Sequence, residues 1–283
     1  MDVSLRRIRM SKKCVLVALL MLMPATAFAQ PSDVELHGSI GVNYLSEYIW
    51  RGFDLYADDD GAIQGTASLD LWGTGFGMNL LYSRSTEGRH ENDKWIVPTL
   101  FYSNNIAETE RWMMVYTIGY TYYNYPDQPK NGTARAPNSA MQEVFGAFAF
   151  PQLIGGGLVP SYTIVRMWPS SGDATTRELV SDWAHIFGLD YSFPICGLLP
   201  NQPEQIVKLH AETVFNDGVG PCPLGGGQRV DSDWTHALFG ATTDFDLSSG
   251  WVLTPGLWYQ SSWDDSVNNE DELFAQVNLK YNF

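Results

Sequence analysis

The segment Asp271 to Phe283 reads DELFAQVNLKYNF; every odd position from Leu273 is apolar, and every even position from Gln276 is polar. Leu273, Ala275, Val277, Leu279, Tyr281 and Phe283 form an apolar set, and Gln276, Asn278, Lys280 and Asn282 a polar one. A period of two puts the sets on opposite faces of a β-strand. An apolar face running out to a terminal aromatic is poorly suited to water. It suits the closing strand of a transmembrane β-barrel, whose outer side touches lipid and whose inner side lines a polar lumen.

The other end of the chain points to the same compartment. Arg6, Arg7, Arg9, Lys12 and Lys13 precede a short apolar core, Val15 to Met23, and Ala27-Phe28-Ala29 supplies a small-residue cleavage site. This is the pattern of a secretory signal peptide over residues 1–29, leaving 30–283 as one exported barrel domain. The apolar run is too short for a membrane-spanning helix, which needs about 20 residues. Cys14 lies before that core, which excludes a lipoprotein acceptor. The mature part has 12 basic and 31 acidic residues, a net charge of −19, so nucleic acid is excluded as a partner.

Twelve strands are legible, with short and long connections in alternation: 34–51, 61–72, 76–84, 95–105, 112–124, 140–150, 158–168, 182–193, 205–215, 233–245, 251–263 and the terminal strand. Short turns on one side and long loops on the other are the habit of outer-membrane barrels. An even strand number puts both termini in the periplasm and every long loop outside. Nine of the ten Trp fall at strand ends. Trp50, Trp95, Trp168, Trp183, Trp234 and Trp263 are at the extracellular ends and Trp72, Trp112 and Trp251 at the periplasmic ends, as two interfacial girdles require; Trp258 is interior. Phe76, Met78, Leu80 and Tyr82 are expected to face outward, and Glu35, His37, Asn43, Glu47 and Arg51 inward. Two strands carry apolar residues on both faces, Phe145 with Phe148 and Leu238 with Phe239, which points to a partly filled interior or to a different register.

The most specific motif is Ser46-Glu47-Tyr48-Ile49-Trp50-Arg51-Gly52-Phe53. It resembles the Asp-Tyr-x-x-Arg-Gly signature of a bacterial family of outer-membrane barrels labelled Gcw_chp or TorF-like, with Glu47 in place of the usual Asp. Gly61 to Leu71 matches the Gly-containing second strand of that family. The resemblance covers the first hairpin, and the rest as architecture. It implies a porin-type barrel of about twelve strands and supplies neither substrate nor catalytic residues. The terminal Phe283 likewise resembles the signal read by the barrel-assembly machinery.

On a continuous strand, Glu47 and Arg51 share a face about 13 Å apart, too far to pair with each other. The seam strand offers Lys280 and Gln276 as partners. The set reads either as a charged constriction or as an ion-pair network that holds the first and last strands in register. Lys208, His210 and Glu212 form a second inward group, read as lumen lining. Gly52 reads as a bend or bulge at the rim.

Catalytic and metal chemistry are weakly signalled. Of His37, His90, His185, His210 and His236, only His37 has a Ser two residues later, Ser39, in the local pairing that outer-membrane phospholipases use. His185 and His236 share the phase of Trp183 and Trp234 and read as headgroup-level residues. His90, with Glu87 and Glu91, is ordinary loop chemistry, and the chain is not expected to be an enzyme. Asp58, Asp59 and Asp60 in the first loop and Asp264, Asp265, Glu270, Asp271 and Glu272 in the last meet at the rim if the barrel closes. Asp58, Asp60, Asp264 and Asp265 suit Ca2+, or divalent ions shared with lipopolysaccharide, although a solvated acidic rim that attracts cations is the preferred reading. The oxidising envelope suggests a disulfide, but Cys196 falls in a periplasmic turn and Cys222 in an extracellular loop, so either they stay apart or strands eight to ten run differently. Asn131-Gly132-Thr133 is a chance glycosylation match. The expectation is an antiparallel up-and-down barrel of about twelve strands in the outer membrane. It would pass small hydrophilic solutes and favour cations; the alternative is a closed structural or adhesive barrel acting through its loops.

Overall fold

The computed structural model describes residues 36–56, 60–87, 94–127, 140–170, 181–199, 202–220 and 230–283. The expected signal peptide, the sequon at Asn131, His90, Glu91, Asp58, Asp59 and Cys222 lie outside the described residues. The strands are β1 (His37–Leu45), β2 (Ile49–Trp50), β3 (Phe53–Asp54), β4 (Ala62–Asp70), β5 (Phe76–Ser85), β6 (Trp95–Ile106), β7 (Met114–Tyr123) and β8 (Met141–Ala149). They continue with β9 (Leu158–Pro169), β10 (Trp183–Cys196), β11 (Glu204–Asp217), β12 (Ser232–Thr243), β13 (Phe245–Asp246), β14 (Trp251–Ser262) and β15 (Glu272–Asn282).

Each wall strand pairs antiparallel with its sequence neighbour in the wall, and β15 returns to pair with β1, so the sheet is a closed twelve-stranded barrel. β13 is a short extension alongside β14. Closure removes the free edges that an open sheet would expose. The seam runs from Ser39 opposite Asn282 to Leu45 opposite Gln276, and Phe283 adds a reciprocal pair of backbone hydrogen bonds with Gly38.

The register fixes which face each residue takes. Ile40, Val42, Tyr44, Val277 and Leu279 are exposed on the outer wall, as are Phe76, Met78, Leu80 and Tyr82. Asn43, Gln64 and Ser83 face inward and are buried. An apolar outer wall around a polar interior is the arrangement that lipid requires. Trp72, Trp112 and Trp251 are exposed near the short turns, and Trp183, Trp234 and Trp263 near the long loops. Trp50 and Trp95 depart from the expected girdle. Both sit at the long-loop end but point into the barrel, where their rings meet edge to face at 5.6 Å.

Two corrections concern local backbone. The first strand does not run to residue 51; β1 ends at Leu45 and the chain turns into the lumen. The phase of β12 also changes part-way. Val214 pairs with His236 but Phe215 pairs with Trp234, leaving Thr235 as the extra residue of a β-bulge. The bulge lets Trp234 face outward at 44% exposure while His236 faces inward at 1%. His236 is therefore not at headgroup level. His185 keeps its expected place on the outer wall, where its Nδ1 lies 2.8 Å from the Tyr162 hydroxyl.

Candidate functional site

The site is built by the motif that the sequence singled out. β2 and β3 form a hairpin in which Trp50 pairs with Phe53 across a two-residue turn. Both turn residues have positive φ, 50° at Arg51 and 91° at Gly52, which defines a type I′ turn. Leu55 N–H donates to the Tyr48 carbonyl at 3.0 Å and extends the ladder by one rung. Gly52 is thus the second turn residue, not a rim bulge, and Glu47 and Arg51 do not share a strand face.

The hairpin is held by apolar contact around the wall. Trp50 and Leu55 pack against all three buried clusters inside the barrel. One includes Trp95, Tyr123, Met141 and Met167, another Tyr56, Ala62 and Phe274, and the third Phe53 with Val267 of the last loop. Phe145 packs against the first cluster and Leu238 against the second, so the doubly apolar strands are those that meet the hairpin. Phe148 and Phe239 occupy the opposite, outer phase. Burying each large side chain here contributes about 1.5–3 kcal/mol.

Polar contacts fix its orientation. Arg51 Nη2 lies 2.8 Å from Glu143 Oε2 on β8, and the Tyr123 hydroxyl donates to the same oxygen at 2.9 Å. The guanidinium also stands 4.9 Å from the centre of the Trp50 ring. Burial pushes the Arg51 pKa down, but the charge and hydrogen bond of Glu143, with Tyr123 and Glu212, together outweigh it and hold the group protonated. Gln260 Nε2 donates to the Gly52 carbonyl at 2.9 Å. Burial, with Tyr56 adding to it, pushes the Tyr48 phenol well above its ordinary value, so it stays neutral. The partner of Arg51 is therefore Glu143, across the lumen, and neither of the expected seam residues. Lys280 faces the lumen opposite Gly41, and Gln276 accepts from Trp258 Nε1 at 3.1 Å. Glu47 lies half-buried at the bend before the hairpin.

The second expected group is brought together nearer the short-turn end. His210 Nδ1 is 2.7 Å from Asp190 Oδ1, and its Nε2 is 3.2 Å from Glu212 Oε2. Only a ring with a proton on each nitrogen donates to both carboxylates. Lys208 pairs with Asp244, which also accepts from Thr254 and feels the charge of Lys280. Burial pushes the Asp244 carboxyl up, but these partners outweigh it and hold it below the usual carboxylate range. These charged groups stand on one side of the interior, between β10 and β15. Between the hairpin and β1 and β4 to β7 lies a cavity of about 350 Å3, with Ser68, Asn79, Thr99 and Thr121 below Tyr48, Trp50 and Trp95.

Sequence reasoning missed a buried hydroxyl–imidazole pair, Thr235 Oγ1 with His236 Nδ1 at 2.9 Å. It is sealed by the hairpin, since a Cβ on Gly52 would fall 2.5 Å from that nitrogen, and no substrate reaches it. At the rim, Asp264 caps its own loop, accepting from Ser266 N–H at 2.8 Å, with Asp265 beside it and Asp60 buried at the base of the first loop. Among the described residues no three His, Cys, Asp or Glu side chains are grouped to hold a metal. Cys196, a free thiol, is exposed at the short-turn end of β10.

No family model and no curated protein matches the sequence. Solved structures do. The KdgM porin in complex with disordered oligogalacturonate superposes with a TM-score of 0.50 at 7% identity, over 87% of this chain and 99% of that one. The chain is of the bacterial outer-membrane barrel type. LpxR from Salmonella typhimurium (TM-score 0.48, 10% identity, 86% of this chain and 99% of that) has a similar architecture. So does the COG4313 outer membrane channel from Pseudomonas putida F1 (0.45, 11%, 90% and 100%). At such identities the likeness is one of fold.

Proposed function

We propose that this protein is a porin-like outer-membrane channel for passive diffusion of small hydrophilic solutes, with the hairpin around Arg51-Gly52 as its constriction. The observation that carries the reading is the polar inward phase of the wall below the hairpin: hydroxyls and amides beside a cavity of about 350 Å3 on one side, and the paired Asp190, Glu212 and Asp244 on the other. Such a lining exchanges for part of a solute's hydration shell. The KdgM porin, whose fold this chain shares, is a porin, which supports a channel reading. The excess of acidic over basic residues favours cations. Membership of the Gcw_chp or TorF-like family belongs to the same proposal, since the motif that carries the resemblance is the constriction hairpin itself. Lipid and lipopolysaccharide would surround the wall, and Phe283 would be read by the assembly machinery. Acidic rim loops could share Ca2+ with lipopolysaccharide, Asp60 and Asp264 being the nearest candidates.

A second reading has a specific observation in its favour. The hairpin packs as tightly as a core, so the barrel could stay closed and act through its outer loops. Planar-bilayer recording of the refolded mature protein under a salt gradient separates the two. Steady steps with a cation-selective reversal potential support the channel. Insertion without any step favours the closed barrel.

A further inference from the structure

We infer that the cavity beneath the hairpin is a binding subsite for a neutral sugar or similar polyol; the inference rests on the channel reading and names its solute class. The cavity, about 350 Å3, falls within the range of small-molecule pockets (about 300–1,000 Å3). Its chemistry is divided by height. Above are the rings of Tyr48, Trp50 and Trp95, delivered by the hairpin and by β6. Below and to the side are short hydroxyl and amide side chains: Ser68 on β4, Asn79 on β5, Thr99 on β6 and Thr121 on β7. Among the described residues no charged side chain lines it.

That combination selects among solutes. A phosphate, carboxylate or ammonium entering a charge-free pocket would lose hydration with no counter-charge to replace it. An apolar solute would leave the hydroxyls unpaired. A pyranose satisfies both parts, because its C–H face is apolar and its rim of hydroxyls both donates and accepts. The lining groups are arranged to serve such a rim. Ser68 donates to Asn79 Oδ1 at 2.7 Å, which orients the amide and occupies its oxygen, not its N–H donors. Thr99 and Thr121 share one hydrogen bond at 3.0 Å, so one proton and several lone pairs of that pair remain for use. The charged groups across the lumen, Asp190, His210, Glu212, Lys208 and Asp244, are already paired with one another and stand on β10, β11 and the link after β12.

The test uses the refolded mature protein in a detergent without a sugar headgroup, read by tryptophan emission, since Trp50 and Trp95 line the cavity. Xylose, glucose and maltose are the neutral probes; galacturonate and glucosamine are the charged controls. The expected result is a saturable change with at least one neutral sugar and none with the controls. Asn79→Ala, and the isosteric Thr99→Val, should each weaken that binding by about tenfold, the loss of one hydrogen bond. Heat-modifiable gel migration checks that both variants fold. Absence of saturable binding by all three neutral sugars overturns the inference, as does equal binding of a charged control or unchanged affinity in both variants. Conductance of the same preparation is scored separately. Steps without sugar binding reject the subsite and leave the channel standing, whereas binding without steps rejects the channel and leaves the subsite.

Discussion

Arg51 places a full charge inside an aromatic cluster, and Glu143, itself 3% exposed, is what makes that tolerable. Removing one member of a buried pair leaves the other uncompensated, at a cost of about 3–5 kcal/mol. Arg51→Ala and Glu143→Gln should therefore both release the hairpin. The readout is a red shift of tryptophan emission and new protease cleavage between residues 46 and 56, with the barrel still heat-modifiable. Gly52 is constrained twice, by φ of 91° and by the nearness of His236. Gly52→Ala should loosen the hairpin by about 1–3 kcal/mol, seen in the same assay. Asp244 gives a pH dependence. Its carboxyl is held low in the folded state, so its contribution is present above the ordinary carboxylate value near pH 4 and is lost as pH falls through the lowered one. The urea midpoint of the wild type should drop on acidification through that range, and Asp244→Asn should flatten the drop. Of these residues, the sequence marked Arg51 as important and mistook its partner. Glu143 lies almost a hundred positions away on a strand whose alternation says only that it faces inward.

At the scale of elements, alternation was sufficient for the wall. β5, β9, β14 and β15 follow the sequence pattern to within a residue or two at each end, because lipid on one side and a polar lumen on the other impose a period of two. The faces can be tested directly. Leu257, mid-way along β14 and 56% exposed on the outer wall, should not accept charge: Leu257→Arg should cost about 2–4 kcal/mol in lipid vesicles. Thr163, at similar depth on β9 but facing inward, should accept Thr163→Arg with a much smaller change in the urea midpoint. Period-two reasoning failed at two places, for related reasons. Tyr48, Ile49 and Trp50 have the β-propensity of a wall strand, so the hairpin was read as a continuation of β1. The signal that it turns was Arg51-Gly52, whose glycine suits a positive-φ turn position. The bulge at Thr235 carries no such signal; one extra residue shifts the phase, and with it the side of His236, without altering composition.

For the whole molecule, the interior is divided by height and by side. The hairpin fills the long-loop half with rings and one ion pair, and below it the cavity lies on one side and the charged groups on the other. Closure by β1 and β15 ties this arrangement to the seam, because the chain leaves β1 at Leu45 and enters the lumen within a few residues. On the proposed channel reading, this hairpin, not the wall, sets the width of the passage. That claim is tested by recording single-channel conductance of the intact protein beside a variant in which residues 47–56 are replaced by a short Gly-Ser linker, both shown to be folded by heat-modifiable migration. The account predicts a severalfold larger conductance in the variant, with weaker ion selectivity. Equal conductance in the two proteins would contradict it.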